Sequence, residues 1–216
     1  MMSLNKTLLI AASLLAISCA QIAERTGGMM SKLPSSATQT EKPEPILAGV
    51  AAIRVFFGPQ DSQGRGYIAQ SQNGANVTYG QNGRSVFVLN GGLIVEAHAV
   101  GRDLLGVAPN ANDPIMNKRP VANWPQNISR SYRLFGNGVD GKTVNVACNY
   151  SAKSTGVSQV QGRSIPTTLM DETCKGSGFT FKNSYMVDGT GFIWKSEQWA
   201  GDNAVQAIVE ILEPLD

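Results

Sequence analysis

Residues 84–100 read Arg84-Ser-Val-Phe-Val-Leu-Asn90-Gly91-Gly92-Leu93-Ile-Val-Glu-Ala-His-Ala-Val100. Two runs rich in β-branched and aromatic residues flank a linker whose residues tolerate positive φ, and both runs are too short for typical helices. The segment therefore predicts a β-hairpin. Moving outward, apolar runs of four to eight residues recur from Val50 onward, broken by Asn73-Gly74, Asn82-Gly83 and Asn137-Gly138, which are hairpin signals. Further strands are expected near Ala51 to Phe57, Tyr67 to Gln70, Asn76 to Tyr79, Ser129 to Phe135 and Lys142 to Tyr150. The same reading places strands near Val157 to Arg163, Gly178 to Lys182, Ser184 to Val187, Gly191 to Glu197 and Val205 to Leu212. The fold class is mainly β: an antiparallel, strongly bent sheet or incomplete β-barrel with few short helices. The stretch Val100 to Gly106 is read as one helical turn. Residues Ala108 to Gln126, with Pro109, Pro114, Pro120 and Pro125, are read as a long surface loop.

The chain has 216 residues, 42% of them hydrophobic and 16% charged, which suits one folded domain plus a tail. Its formal charge of +2 is too small for the electropositive field that phosphate-backbone binding needs, so nucleic acid is excluded as an expected partner.

The N-terminus has the form of an export signal. Lys6 precedes an apolar run from Leu8 to Ile17 that ends at Ser18 and Cys19, about half the roughly 20 residues a membrane-spanning helix needs. Ala16-Ile17-Ser18-Cys19 resembles a bacterial lipobox, which makes Cys19 a candidate lipidation site. An ordinary secretory signal cleaved nearby is the alternative. Acyl chains contribute about 0.8 kcal/mol per buried CH2, so two or three of them hold a protein on its membrane without a spanning helix. Residues 19–46 are rich in Ser, Thr, Gln, Gly and Pro and read as a flexible tether reaching roughly 25–30 Å. The expected organisation is thus a signal peptide at 1–18, a lipidated tether at 19–46 and a periplasmic β domain at 47–216. Ala20 follows the cysteine where an Asp would favour inner-membrane retention, so the outer membrane is the expected address.

Two cysteines remain in the β domain, Cys148 and Cys174. In an exported chain an even pair implies a disulfide, worth roughly 3.5 kcal/mol on the loop-entropy model. A metal site is the competing reading, with no CxxC partner and no nearby histidine to complete it.

The strings Tyr79-Gly-Gln-Asn-Gly83 through Gly101-Arg-Asp-Leu-Leu105, with Asp113-Pro114 downstream, form one motif group. Asn183-Ser-Tyr-Met-Val-Asp188-Gly-Thr-Gly-Phe-Ile-Trp194-Lys-Ser-Glu-Gln198-Trp, closing on Val209-Glu-Ile-Leu-Glu-Pro214, forms a second. Together they resemble the YjbF/GfcB lipoproteins over roughly Asn76 to Pro214. Met186 stands where that family usually has Trp. The resemblance implies a non-enzymatic accessory role in exopolysaccharide or group 4 capsule production, with polysaccharide or secretion proteins as partners.

Read without the family, the second string is a pair of strands with large rings. Tyr185, Trp194 and Trp199 are either packing residues or a sugar-stacking platform and partner surface. Little else suggests chemistry. Glu96 and His98 stand two apart on one strand face with no third ligand in the pattern. Ser158 and Ser177 lack the setting of a hydrolase nucleophile. Asp171-Glu172, and Asp202 near Glu197, read as solvated turns rather than glycosidase carboxylates. No catalytic residue, metal or cofactor is expected. A lipid or lipoprotein carrier and a polysaccharide-modifying enzyme are the competing functions.

Overall fold

The computed structural model describes residues 49–58, 61–81, 83, 85–100, 103–136, 141–201 and 206–215. The segments read as signal peptide and tether, with Cys19, and the turn residues Asn82 and Asn137-Gly138 lie outside these residues. Twelve antiparallel strands follow one another: β1 Ala52–Phe57, β2 Arg65–Asn73, β3 Asn76–Gln81, β4 Ser85–Asn90, β5 Leu93–His98 and β6 Leu104–Val107. They continue as β7 Asn127–Leu134, β8 Lys142–Val160, β9 Arg163–Gly176, β10 Phe179–Val187, β11 Ile193–Trp199 and β12 Gln206–Glu213. Each strand pairs with its chain neighbour, and β1 pairs with β12 in an antiparallel ladder from Ala52↔Glu213 to Phe57↔Ala207, so the sheet closes into a barrel. The antiparallel, mainly β architecture of the sequence reading holds, with the ring closed rather than incomplete. Closure removes the two sheet edges that a bent open sheet would leave unpaired.

Three local expectations change. The segment read as a helical turn contains strand β6 at Leu104–Val107, and the one helical piece among the described residues is a 3-10 turn at Val121–Asn123. The break expected between Tyr150 and Val157 is absent, because β8 runs unbroken for 19 residues. Strand β9, 14 residues long, was not anticipated beyond its first residue.

A ring of about eight strands is just filled by its own side chains, and wider rings leave a lumen if they stay round. Here opposite walls are drawn together instead. Strands β5 and β11 lie six places apart around the ring, yet Gln198 on β11 accepts from the Ile94 N–H of β5 at 2.9 Å and donates to the Gly92 carbonyl at 2.8 Å. Its Nε2 also donates to Ser196 Oγ at 2.8 Å. A single side chain can span this gap only if the walls approach to about the 10 Å of two packed sheets. The space between them is filled by large rings: Tyr67 stands edge-on to Phe87, and Trp199 stacks on Phe181 with centroids 4.5 Å apart.

Up-and-down connections alternate between the two ends of the ring. The β2–β3, β4–β5, β6–β7, β8–β9 and β10–β11 connections share one end, where the long β6–β7 segment folds inward. Asp113, Pro114 and Ile115 are buried, so the expected surface loop is in part a plug. It crosses from wall to wall. A Cβ on Gly91, in the β4–β5 turn, would collide with the Ile115 carbonyl, and one on Gly191, in the β10–β11 turn, would lie 2.5 Å from Arg119 O. Both glycines also hold positive φ, +62° and +91°, so backbone conformation and space both require glycine there.

Cys148 and Cys174 face each other across the β8–β9 ladder and are joined by a disulfide with Cα atoms 4.0 Å apart.

Gln198→Ala would strand a buried N–H and a part-buried carbonyl on the opposite wall. The expected cost is about 2–4 kcal/mol in urea unfolding; a change below about 0.5 kcal/mol would show that the walls are held together without it.

Candidate functional site

The densest polar cluster among the described residues lies inside the barrel beneath the plug, centred on Arg130 of β7. Alternation along β7 points Ile128, Arg130, Tyr132 and Leu134 inward, so an arginine occupies a core position. Its Nε donates to Asp113 Oδ2 at 2.5 Å, its Nη1 to Glu172 Oε1 at 2.6 Å and its Nη2 to the Tyr150 hydroxyl at 2.6 Å. All three members of the ion-pair triad have side chains with 0% exposure. The remaining acceptors are occupied as well. Glu172 Oε2 accepts from Asn183 Nδ2 at 2.7 Å and from the Tyr185 hydroxyl at 2.8 Å. Asp113 Oδ1 accepts from the N–H groups of Ile115 and Met116. Asn183 Oδ1 takes the Trp199 N–H.

The electrostatics follow from burial. Removal from water works against the Arg130 charge, but the Glu172 carboxylate and the surrounding phenols hold its pKa well above the ordinary value. Burial pushes Tyr132 up to about 12. Tyr150 and Tyr185 are raised by the same burial and by the adjacent Glu172 charge, and Tyr79 by burial alone. Burial thus favours the neutral form of each of these phenols.

The arrangement is a lock rather than a reaction centre. Every charged oxygen of Asp113 and Glu172 is committed to a protein donor, and the triad joins the plug to β7 and β9. The Cys148 and Cys174 sulphurs lie within 4.8 Å of a Glu172 oxygen and of each other. That spacing would suit a metal, but the sulphurs are spent on the disulfide and the carboxylate on its donors. The metal reading of the cysteines therefore has no free ligand.

The three aromatic residues singled out from the sequence do not share a surface. Tyr185 is fully buried and Trp199 is 7% exposed, both inside the barrel. Trp194 is the extra residue of a bulge, since Met186 pairs with Lys195 and Val187 with Ile193. The bulge breaks alternation and leaves Trp194 half-buried outside. There its Nε1 donates to Asp188 Oδ2 at 2.8 Å, and the Arg163 guanidinium lies 5.1 Å from its ring centroid. Burial alone would raise the Asp188 pKa, but donors from Thr190 and Trp194 lower it. Glu96 and His98 do meet, at 3.3 Å, and Asp103 Oδ2 lies 3.7 Å from the other ring nitrogen. The group is more than a quarter exposed at each member, at the end of the ring opposite the plug.

Glu172, read as part of a solvated turn, is the most consequential correction. It sits mid-strand with 0% exposure. Arg130 and Tyr150 escaped the sequence reading because polar residues in short alternating runs look like an exposed face. Asp113, Asn183, Tyr185 and Gln198 had one signal: all lie in the two strings that resemble the YjbF/GfcB lipoproteins.

That resemblance extends to the whole barrel. The family described as group 4 capsule polysaccharide lipoprotein gfcB, YjbF, matches residues 51–211. The chain belongs to this family. Among curated proteins none matches it. The hypothetical lipoprotein YmcC from Escherichia coli K12 has a similar fold, with TM-score 0.66 at 15% identity over 79% of this chain and 91% of that one. An exported protein with a YmcC-like fold from Bacteroides fragilis matches at TM-score 0.36 and 10% identity, over 76% and 93% of the two chains.

Removing Arg130 would leave two buried carboxylates without their cation. Arg130→Met is expected to cost about 3–5 kcal/mol, and Arg130→Met with Glu172→Gln to recover part of it; equal costs for the two would contradict the ion-pair account. Alkaline pH offers a second measurement. Tyr79, Tyr132, Tyr150 and Tyr185 have folded pKa values above the ordinary 10.0, with Tyr132 at about 12, so the stability they confer is complete below pH 10. It drains as pH rises from there through the folded values. Phenolate absorbance of these four residues and loss of β circular dichroism should rise together above pH 10; their early, non-cooperative ionisation in the folded protein would rule this out.

Proposed function

We propose that the protein is a membrane-anchored periplasmic lipoprotein acting as a non-enzymatic accessory factor in the assembly or export of an exopolysaccharide or capsule. The family match over residues 51–211 carries this reading. In it, acylated Cys19 holds the outer membrane, residues 20–46 set the reach, and the barrel presents its outer wall and rims to polymer or to a secretion protein. The committed state of the Arg130 cluster supports a structural use for the interior acids. Packed rings between the walls leave the described interior better suited to rigidity than to holding an acyl chain. The outer wall does offer a concave region, a groove of about 490 Å3 between Ala108–Asn110 and β7–β8, lined by Ser129, Ser131, Asn145 and Ala147. Of these, Ser129, Ser131 and Asn145 supply short, uncharged hydrogen-bonding side chains of the kind that meet sugar hydroxyls.

Two variants test the reading. Cys19→Ser should move the protein from the membrane pellet to the soluble periplasmic fraction, whereas full retention in the pellet would exclude the acyl anchor. His98→Ala should leave exported polymer at the wild-type level, while deleting the gene lowers it; loss of polymer with His98→Ala alone would favour an enzyme.

A further inference from the structure

Strand β8 outruns its neighbour on one side. Strand β7 pairs it only as far as Asn149, whereas β9 pairs it to Val160. Among the described residues, Ser151–Val160 thus has a ladder on one edge only. The hairpin is braced rather than loose. Ser158 Oγ bonds the Thr167 hydroxyl and Met186 Sδ, and Arg163 donates to the Leu212 carbonyl. Val160 and Leu212 are buried outside the main core cluster, which places the hairpin's inner face on the outside of the barrel.

The hydrogen-bonding direction of the free edge can be read from Pro166, which stands opposite Val157. Proline has no N–H, so it fits a paired strand only where the groups of that residue pair face away from each other. The N–H and C=O of Val157 therefore point to the open edge, and by alternation so do those of Thr155 and Gln159. The disulfide agrees. Cys174 lies eight residues from Pro166 along β9, and its 4.0 Å approach to Cys148 is that of a pair lacking mutual ladder bonds.

Exposed edges are ordinarily blunted by charge or proline. This one carries a single charge, Lys153, which is the extra residue of a bulge and pairs with Asp171 at 3.3 Å. Beyond it the edge reads Ser154-Thr-Gly-Val-Ser-Gln159, uncharged, with Val157 62% exposed. We infer that Thr155–Gln159 is a strand-pairing edge whose occupant is the same edge of a second copy, running antiparallel about a two-fold axis at Val157.

Self-pairing satisfies every feature of the edge at once. With the axis at Val157, Val157 meets Val157, Thr155 meets Gln159 and Gly156 meets Ser158. All three outward-facing residues are used, giving about six backbone bonds, and the exposed valines cover each other. No lysine faces a lysine. Moving the axis to Gly156 would pair only Thr155 with Val157 and leave Gln159 unused. The contact belongs with small, transient interfaces burying less than about 1,200 Å2.

The test uses the full-length chain. Val157→Cys in intact cells should give a dimer-sized band on non-reducing gels that reductant removes, while Ser151→Cys and wild type give none. In detergent at about 0.5 mM, wild type should sediment as a dimer and Val157→Lys should weaken association about tenfold or more, with an unchanged melting temperature. A wild-type monomer at that concentration overturns the proposal. So does a dimer indifferent to Val157→Lys, which would place the interface elsewhere, or a cross-link of Val157→Cys only to a chain of another size.

Discussion

The approach of opposite walls is the constraint on which the rest of the barrel depends. A round ring of twelve strands would enclose more volume than its inward side chains can fill, and empty space between apolar walls forfeits dispersion contacts. The hydrogen bonds from Gln198 to Ile94 and Gly92 hold β5 and β11 at sheet-packing distance, and the rings of Tyr67, Phe87, Phe181 and Trp199 then suffice to fill what remains. A polar side chain does this better than an apolar one because it fixes spacing and register together. Its donors and acceptors fit only one alignment of the two walls.

The Arg130 triad solves the neighbouring problem, how to close one end. A long segment with four prolines folds into local turns, with the N–H groups of Asn117, Lys118 and Arg119 bonded to the Asp113, Ile115 and Pro114 carbonyls, and forms no ladder of its own. It is fastened instead by one carboxylate, Asp113, reaching a cation that β7 holds inside. Buried charges are costly unless fully partnered, and here each charged atom has a partner: Arg130 shares its donors among Asp113, Glu172 and Tyr150, while Asn183 and Tyr185 complete Glu172. The two strings that mark the family each supply partners to this lock, Asp113 from one and Asn183 and Tyr185 from the other, while Arg130, Tyr150 and Glu172 at its centre lie between them.

Much of the fold was legible in the sequence because apolar runs and Asn-Gly turns report half-buried strands directly. The hairpin of β4 and β5 is the clearest case. What could not be read has physical reasons. Ser151–Gly156 is exposed on both faces of a projecting hairpin, so no alternation marks it as strand. Asp171-Glu172 looked like a turn because hydropathy records polarity and not the partner that makes burial affordable. Trp194 left the face of Tyr185 because a one-residue bulge shifts side-chain phase. The closure of the ring joins residues near the two ends of the domain, and no local pattern encodes a pairing between Ile53 and Ile211. The motif resemblance reached the lock residues only as letters, without saying that they meet.

That first-to-last ladder also orders the folding of the chain. Eleven strands can zip as successive hairpins, each closing a short loop, but the ring keeps two open edges until residues 206–213 arrive to join β1. Such a closure has high contact order and is slow. During that interval the half-assembled sheet is vulnerable to pairing with the wrong neighbour, so the last eight-residue strand acts as the clasp that ends the hazard.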